Sequence, residues 1–231
     1  KQSVTLNKIC SFAIAALLLC CGKTQAQTAQ QWRDSLAVLG RQIEASPHSV
    51  ELRLRKAAVN LELGQWDYAA AEFGIVLEKE PQNLAALFYR AYANTQLRRY
   101  ELALDDYHAF IRIAPVNIEA RLGLAHTYEK LGRLTEAMDQ LNYTVELFPD
   151  SAIAYAARAA LEKERKIYAA ALYDWEQAVR LAPNNADFRL SLVDVLLLMG
   201  KRSEARVALD GMVRNGTPRG LLREWYDKCG S

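Results

Sequence analysis

Three histidines and four cysteines are the residues best suited to metal binding or acid–base work, and their spacing argues against both. His48, His108 and His126 stand far apart, with no His-x-x-x-His or Cys-x-x-Cys arrangement to close around a metal ion. Cys10, Cys20 and Cys21 crowd the N-terminal segment, which leaves Cys229 alone in the remainder and allows no internal disulfide there. Gly22-Lys23-Thr24 has the ending of a phosphate-cradling loop, but Leu17 stands where that loop needs its first glycine. No serine sits on a nucleophile elbow, and Glu162-Lys163-Glu164 reads as a wet helix face. Catalytic residues, metal ligands and cofactors are therefore not expected. His126 is the histidine of most interest: helical spacing sets it near Glu129 and Lys130, as a solvated group that could also touch a ligand.

The elements that would position such groups recur strictly. Prolines fall at 47, 81, 115, 149 and 183, always 34 residues apart, and Pro218 is one residue out of phase. Leu84 to Pro115 displays the repeat as two apolar runs at helical spacing, broken near Gln96-Leu97-Arg98. Copies begin at Val50, Leu84, Ile118, Ala152 and Ala186, each preceded by Ser49, Asn83, Asn117, Ser151 or Asn185. These five residues are of types that cap helix starts, because a side-chain oxygen can accept from an otherwise unpaired N–H. The proline two residues earlier stops the preceding helix. Self-similarity at this period marks an array of helix–turn–helix repeats.

Within each repeat, size follows position. The eighth place holds Ala57, Ala91, Ala125, Ala159 and Val193, and the twentieth Ala69, Ala103, Ala137, Ala171 and Ala205, so two antiparallel helices can approach closely. Bulk introduced at Ala137 is expected to overpack the pair, at roughly 1–3 kcal/mol. Larger groups at the twenty-fourth place (Phe73, Tyr107, Leu141, Trp175, Leu209) fill the gap to the next repeat. Gly64, Gly132 and Gly200, with Arg98 and Lys166, stand at the turn between helices, where a left-handed residue is favoured. The seventh place (Lys56, Arg90, Leu124, Arg158, Leu192) and the twenty-third (Glu72, Asp106, Gln140, Asp174, Ala208) vary together, base with acid in three repeats. That pairing predicts salt bridges Lys56–Glu72, Arg90–Asp106 and Arg158–Asp174.

From Val50 to about Thr217 the chain resembles the tetratricopeptide repeat family, five copies in phase. The resemblance implies an all-α fold, a right-handed α-solenoid of stacked antiparallel helix pairs with terminal capping helices and a concave groove lined by the first helices. In that geometry a protein or peptide partner would meet Leu54, Ala58, Phe88, Tyr92, Thr95, Gln96, Leu122, His126, Glu129, Lys130, Ile153, Ala156 and Ala160. Phe88 and Tyr92, one turn apart, are expected to form its aromatic anchor. The family's carboxylate clamp is missing, since Leu54 and Ala58 occupy its first two places. The large residue expected at the fourth place is Arg53, Leu87, Arg121, Tyr155 or Arg189 here.

Residues 27–48 are expected to cover one end of the array, through the apolar face of Trp32, Leu36, Leu39 and Ile43. Residues 218–231 cap the other end, where Leu221, Leu222 and Trp225 form a stripe expected to bury Trp225. Lys1 and Lys8 flank an apolar run of 13 residues, Ile9 to Cys21, too short for a bilayer span. With the small-residue exit Thr24-Gln25-Ala26, this reads as a signal peptide over 1–26, cleaved after Ala26. Alternatively, the stretches ending at Cys20 and Cys21 resemble the lipobox of bacterial lipoproteins, with Leu19 or Cys20 where that pattern prefers a small residue.

Lys1, Lys8 and Lys23 are the charged residues of the first 26; the remainder sets 26 basic against 27 acidic residues, a net charge of about −1. Nucleic acid is therefore not an expected partner. The function expected is a non-enzymatic interaction module or scaffold of the cell envelope, periplasmic or outer-membrane associated in a Gram-negative bacterium. The alternative is a structural subunit or assembly lipoprotein acting through the convex face or the ends. Membrane contact would come only through lipidation at Cys20 or Cys21, and the oligomeric state stays open.

Overall fold

Helix starts and stops follow the capping residues. The computed structural model describes residues 28–230, so the leader over 1–26, cleavage after Ala26 and lipidation at Cys20 or Cys21 lie outside the described residues. Those residues divide into two compact units, the first ending at Arg133 and the second starting at Leu134. The first holds α1 (Ala29–Ala45), α2 (Val50–Glu62), α3 (Trp66–Lys79), α4 (Leu84–Gln96), α5 (Tyr100–Ile113) and α6 (Ile118–Lys130). The second holds α7 (Leu134–Leu147), α8 (Ala152–Glu164), α9 (Tyr168–Leu181), α10 (Ala186–Leu198), α11 (Arg202–Arg214), a 3-10 turn (Arg219–Leu222) and α12 (Arg223–Gly230). Among the described residues every regular element is helical.

Four of the five expected caps are closed by the side chain. Ser49 Oγ accepts from the Leu52 amide, Asn83 Oδ1 from Ala86, Asn117 Oδ1 from Ala120 and Asn185 Oδ1 from Phe188. Ser151 is the exception: its side chain makes no capping bond, and the Ala154 amide donates instead to the Ser151 backbone carbonyl at 3.1 Å. Helix α1 begins with a reciprocal cap, Thr28 Oγ1 accepting from the Gln31 amide and Gln31 Oε1 accepting from the Thr28 amide at 2.6 Å.

Between the two helices of each repeat, one residue enters the left-handed region: Gly64 at φ 67°, Arg98 at 58°, Gly132 at 73°, Lys166 at 61° and Gly200 at 75°. The chain then doubles back. The amide one residue later donates to the carbonyl of the eleventh place, as from Gln65 to Asn60 and from Ile167 to Glu162, both at 2.8 Å. This is the closing bond of a Schellman motif, made identically in all five turns.

Core packing follows the size pattern. Ala69, Ala103, Ala137, Ala171 and Ala205 are all fully buried, and so are Ala57, Ala91, Ala159 and Val193 at the eighth place. Phe73, Tyr107, Leu141, Trp175 and Leu209 are buried beside them. In the first unit each helix packs on the next from α1 to α6; in the second the same holds from α7 to α12.

The C-terminal expectation needs one correction. Trp225 is only half-buried, Leu221 is 76% exposed, and Leu222 at 2% is the residue that closes this end, against Val193, Leu196, Leu209 and Met212. The reason is local. Residues 219–222 form a 3-10 turn, whose three-residue period does not continue the stripe expected of an α-helix.

Candidate functional site

The residues expected to meet a partner lie on the first helices of their repeats, and many are already used in packing. In the first unit Ala58, Tyr92, Thr95 and Leu122 are buried, while Leu54, Phe88, His126 and Glu129 keep partial exposure and Gln96 and Lys130 are exposed. In the second unit Ala156 is buried, and Ile153 and Ala160 are half-buried. The aromatic anchor is corrected accordingly. Tyr92, 4% exposed, meets Trp66 edge-on at 5.7 Å, and Phe88 leans on Tyr89, Tyr107 and Phe110 with ring centroids 5.2–6.0 Å away. Tyr92 thus completes the packing between neighbouring helix pairs, whereas Phe88 packs within its own pair and keeps partial exposure.

What stays open on α6 is polar. Lys130 Nζ lies 3.0 Å from Glu129 Oε1 and His126 Nδ1 3.9 Å from Glu129 Oε2, so the three residues are brought together as spacing predicts. Burial pushes the Glu129 carboxyl upward, but hydrogen bonds and charge from His126 and Lys130 outweigh it and hold the group below its usual range. The cluster carries a mixed charge. Among the described residues no group of His, Cys, Asp or Glu is placed to hold a metal ion.

The three predicted ion pairs are present. Lys56 Nζ stands 2.7 Å from Glu72 Oε1, and Arg53 adds a second contact at 2.9 Å. Arg90 grips Asp106 through Nε at 2.9 Å and Nη2 at 2.6 Å; Arg158 grips Asp174 through the same atoms at 2.6 and 2.9 Å. The acids are nearly sealed, Asp106 at 3% and Asp174 at 1% exposure. Burial pushes Asp106 upward against the pull of Arg90, so much of the Coulombic gain is spent on desolvation. A third position that changes with these pairs escaped the sequence reading. One turn beyond each base, the eleventh place holds buried Asn60, Asn94 or Glu162, whereas the repeats with leucine at the seventh place hold Tyr128 or Leu196. Its covariation with the seventh and twenty-third places was the available signal.

Comparisons with known proteins agree with this geometry. Models described as tetratricopeptide repeat match residues 59–118 and 94–161. Residues 59–161 are tetratricopeptide repeats. Its fold is similar to that of a tetratricopeptide repeat protein from Parabacteroides merdae, with a TM-score of 0.64 and 20% identity, covering 87% of this chain and 79% of that one. A thermophilic member from Thermus thermophilus gives 0.59 at 22% identity, over 73% and 92%. MamA from Desulfovibrio magneticus gives 0.63 at 17% identity, over 68% and 88%. No curated protein matches the chain significantly.

Set against the tetratricopeptide pattern Trp-x-x-Leu-Gly-x-x-Tyr, the third repeat keeps both Leu124 and Tyr128, while the first, second and fourth exchange leucine and tyrosine for a polar set. The arginines at the fourth place have a job of their own. Arg53, Arg121 and Arg189 each reach back six residues to the carbonyl of Pro47, Pro115 or Pro183, tying the inter-repeat turn to the next first helix.

Glu162 titrates where the others do not. Burial, with the Asp174 carboxylate beside it, pushes its carboxyl up to about 7, against the opposing pull of Arg158. Its Oε2 is buried without a hydrogen-bond partner among the described residues. Below the unfolded value near 4.5 both states are protonated and no penalty applies. As pH rises from there the unfolded chain ionises first, so stability falls until the folded group ionises near 7, a loss of up to about 3 kcal/mol. Glu162→Gln should therefore stabilise the protein by about 1–3 kcal/mol at pH 8 and by little at pH 4.5. Urea unfolding at the two pH values checks this, and an equal gain at both would exclude it.

Proposed function

We propose that this protein is an exported, non-enzymatic scaffold of the bacterial cell envelope that holds a peptide or partner protein along the groove lined by its first helices. Tetratricopeptide repeats are protein-interaction modules, and that general role is the starting point. The observation that carries the finer reading is on α4 and α6: Phe88, Gln96, His126, Glu129 and Lys130 keep accessible surface where neighbouring positions are sealed into the pairs. Export rests on the basic, apolar and small-residue order of 1–26, and an intact-mass measurement separates a Gln27 start from an acylated Cys20 or Cys21.

Photo-crosslinking in cells tests the groove. A benzophenone residue at Gln96 or Lys130 should trap a discrete protein adduct, while one at Val207, 65% exposed on α11, should trap none. Adducts from Val207 alone would reject the groove and favour action through the outer face.

A further inference from the structure

The sequence carries one Asn-Gly pair, Asn215–Gly216, and it stands at the turn that ends α11. We propose that this pair is a latent self-modification site, held unreactive by Arg189 and converted to aspartate and isoaspartate when the C-terminal cap opens. It is separate from the first-helix groove and does not depend on that reading.

The residue types supply the chemistry. Gly216 has no side chain to screen its amide nitrogen, so that nitrogen can attack Cγ of the preceding asparagine. The nitrogen gives its proton to hydroxide and bonds to Cγ, and the Cγ–Nδ2 bond breaks. Nδ2 takes a proton from water and leaves as ammonia, which completes a succinimide ring. Water then opens the ring at either carbonyl. One product is aspartate; the other is isoaspartate, whose backbone runs through the former side chain, and nothing is oxidised or reduced. Both residues are exposed, so water and hydroxide can reach them.

The folded geometry opposes ring closure. The ring needs the Gly216 nitrogen nearly eclipsed with Cβ of Asn215 about the Cα–C bond. At a ψ of 15° it is nearly eclipsed with the Asn215 nitrogen instead, and so points away from the side chain. Gly216, at φ 95°, donates its N–H to the Val213 carbonyl at 2.9 Å, and Thr217 donates to Met212 at 3.0 Å. These are the two bonds of a Schellman turn, and they hold the backbone in the unreactive form.

Arg189 holds the side chain. With its oxygen turned toward α10, the Asn215 amide accepts from Nη1 and Nη2 of Arg189, both at 2.8 Å. Nε of the same arginine donates to the Pro183 carbonyl at 2.7 Å, so the guanidinium is itself fixed. Donation to the amide oxygen would polarise Cγ and favour attack, but that effect is idle while the nitrogen cannot reach. Restraint therefore wins. The cap follows directly: Leu222, 2% exposed, seals this end of the second unit. Isoaspartate adds a backbone carbon inside the Schellman turn, so a chain whose cap has opened is marked irreversibly.

Peptide mapping by mass spectrometry, with an isoaspartate assay, on the full chain in mildly alkaline buffer decides the matter. In urea the Asn215 peptide should deamidate at least about ten-fold faster than in native buffer, because the turn is then open. Folded Arg189→Leu should deamidate at least about three-fold faster than the folded parent, and at the parent's rate in urea. Arg189→Lys, which keeps the charge but not the paired donors, should fall between them and serves if the leucine variant does not fold. Leu172→Ala, which loosens packing elsewhere in the second unit, should leave the native rate unchanged. The proposal is overturned by no deamidation at Asn215 in urea or by equal rates in urea and native buffer. It is equally overturned if neither Arg189 variant is faster than the parent, or if Leu172→Ala is accelerated as much as they are.

Discussion

Asp174→Leu should lower stability by about 3–5 kcal/mol, the largest loss expected from any single charge removal in this chain. The acid is 1% exposed and holds both Nε and Nη2 of Arg158, so its removal strands a guanidinium whose side chain is only 18% exposed. Arg158→Leu should cost a comparable amount, since it leaves Asp174 facing Glu162 with no cation between them. The double variant should lose clearly less than the two single losses combined, because neither charge is then stranded. Additive losses in urea unfolding would show that the pair does not act as a pair. Asp106→Leu should be milder, since the Arg90 side chain is 31% exposed and water can reach it.

Gly123→Val should be the most damaging change at a glycine. A Cβ placed there would sit 2.5 Å from Cζ and 2.6 Å from the hydroxyl oxygen of Tyr107. Tyr107 is 2% exposed and fills the junction with the next pair, so the ring cannot swing aside. Alanine would regain up to about 1 kcal/mol of helix propensity and still lose on overpacking. Valine adds branching at the same point, and its net cost should be about 2–3 kcal/mol. Thermal unfolding of Gly123→Ala, Tyr107→Leu and their combination provides the control. The shortened side chain should accept the new methyl group, so the combined loss should be smaller than the two single losses together.

Periodicity explains why so much of this fold could be read in advance. The prolines, turn glycines and paired alanines recur at fixed places along the chain, so accidental matches cancel. The ion pairs were legible for the same reason, because the seventh and twenty-third places change together. What escaped is local or singular. Gly123 has Arg55, Tyr89, Ala157 and Ser191 at its place in the other repeats, so nothing periodic announces the tyrosine lying on it. Ser151 has the composition of a cap, but its backbone carbonyl takes the bond. Tyr92 occupies a place that the family's geometry turns toward the groove, yet Trp66 from the preceding pair covers it.

The central claim is that the polar sets are packing devices, interchangeable with the apolar sets, so recognition must lie on the accessible faces. The direct test transplants the fifth repeat's set, Leu192, Leu196 and Ala208, onto the fourth, as the triple variant Arg158→Leu, Glu162→Leu, Asp174→Ala. Urea unfolding at pH 7 should find it as stable as the parent or more so, since a complete buried ionic set exchanged for apolar residues is often neutral to favourable. A triple variant as unstable as Asp174→Leu alone would contradict the account.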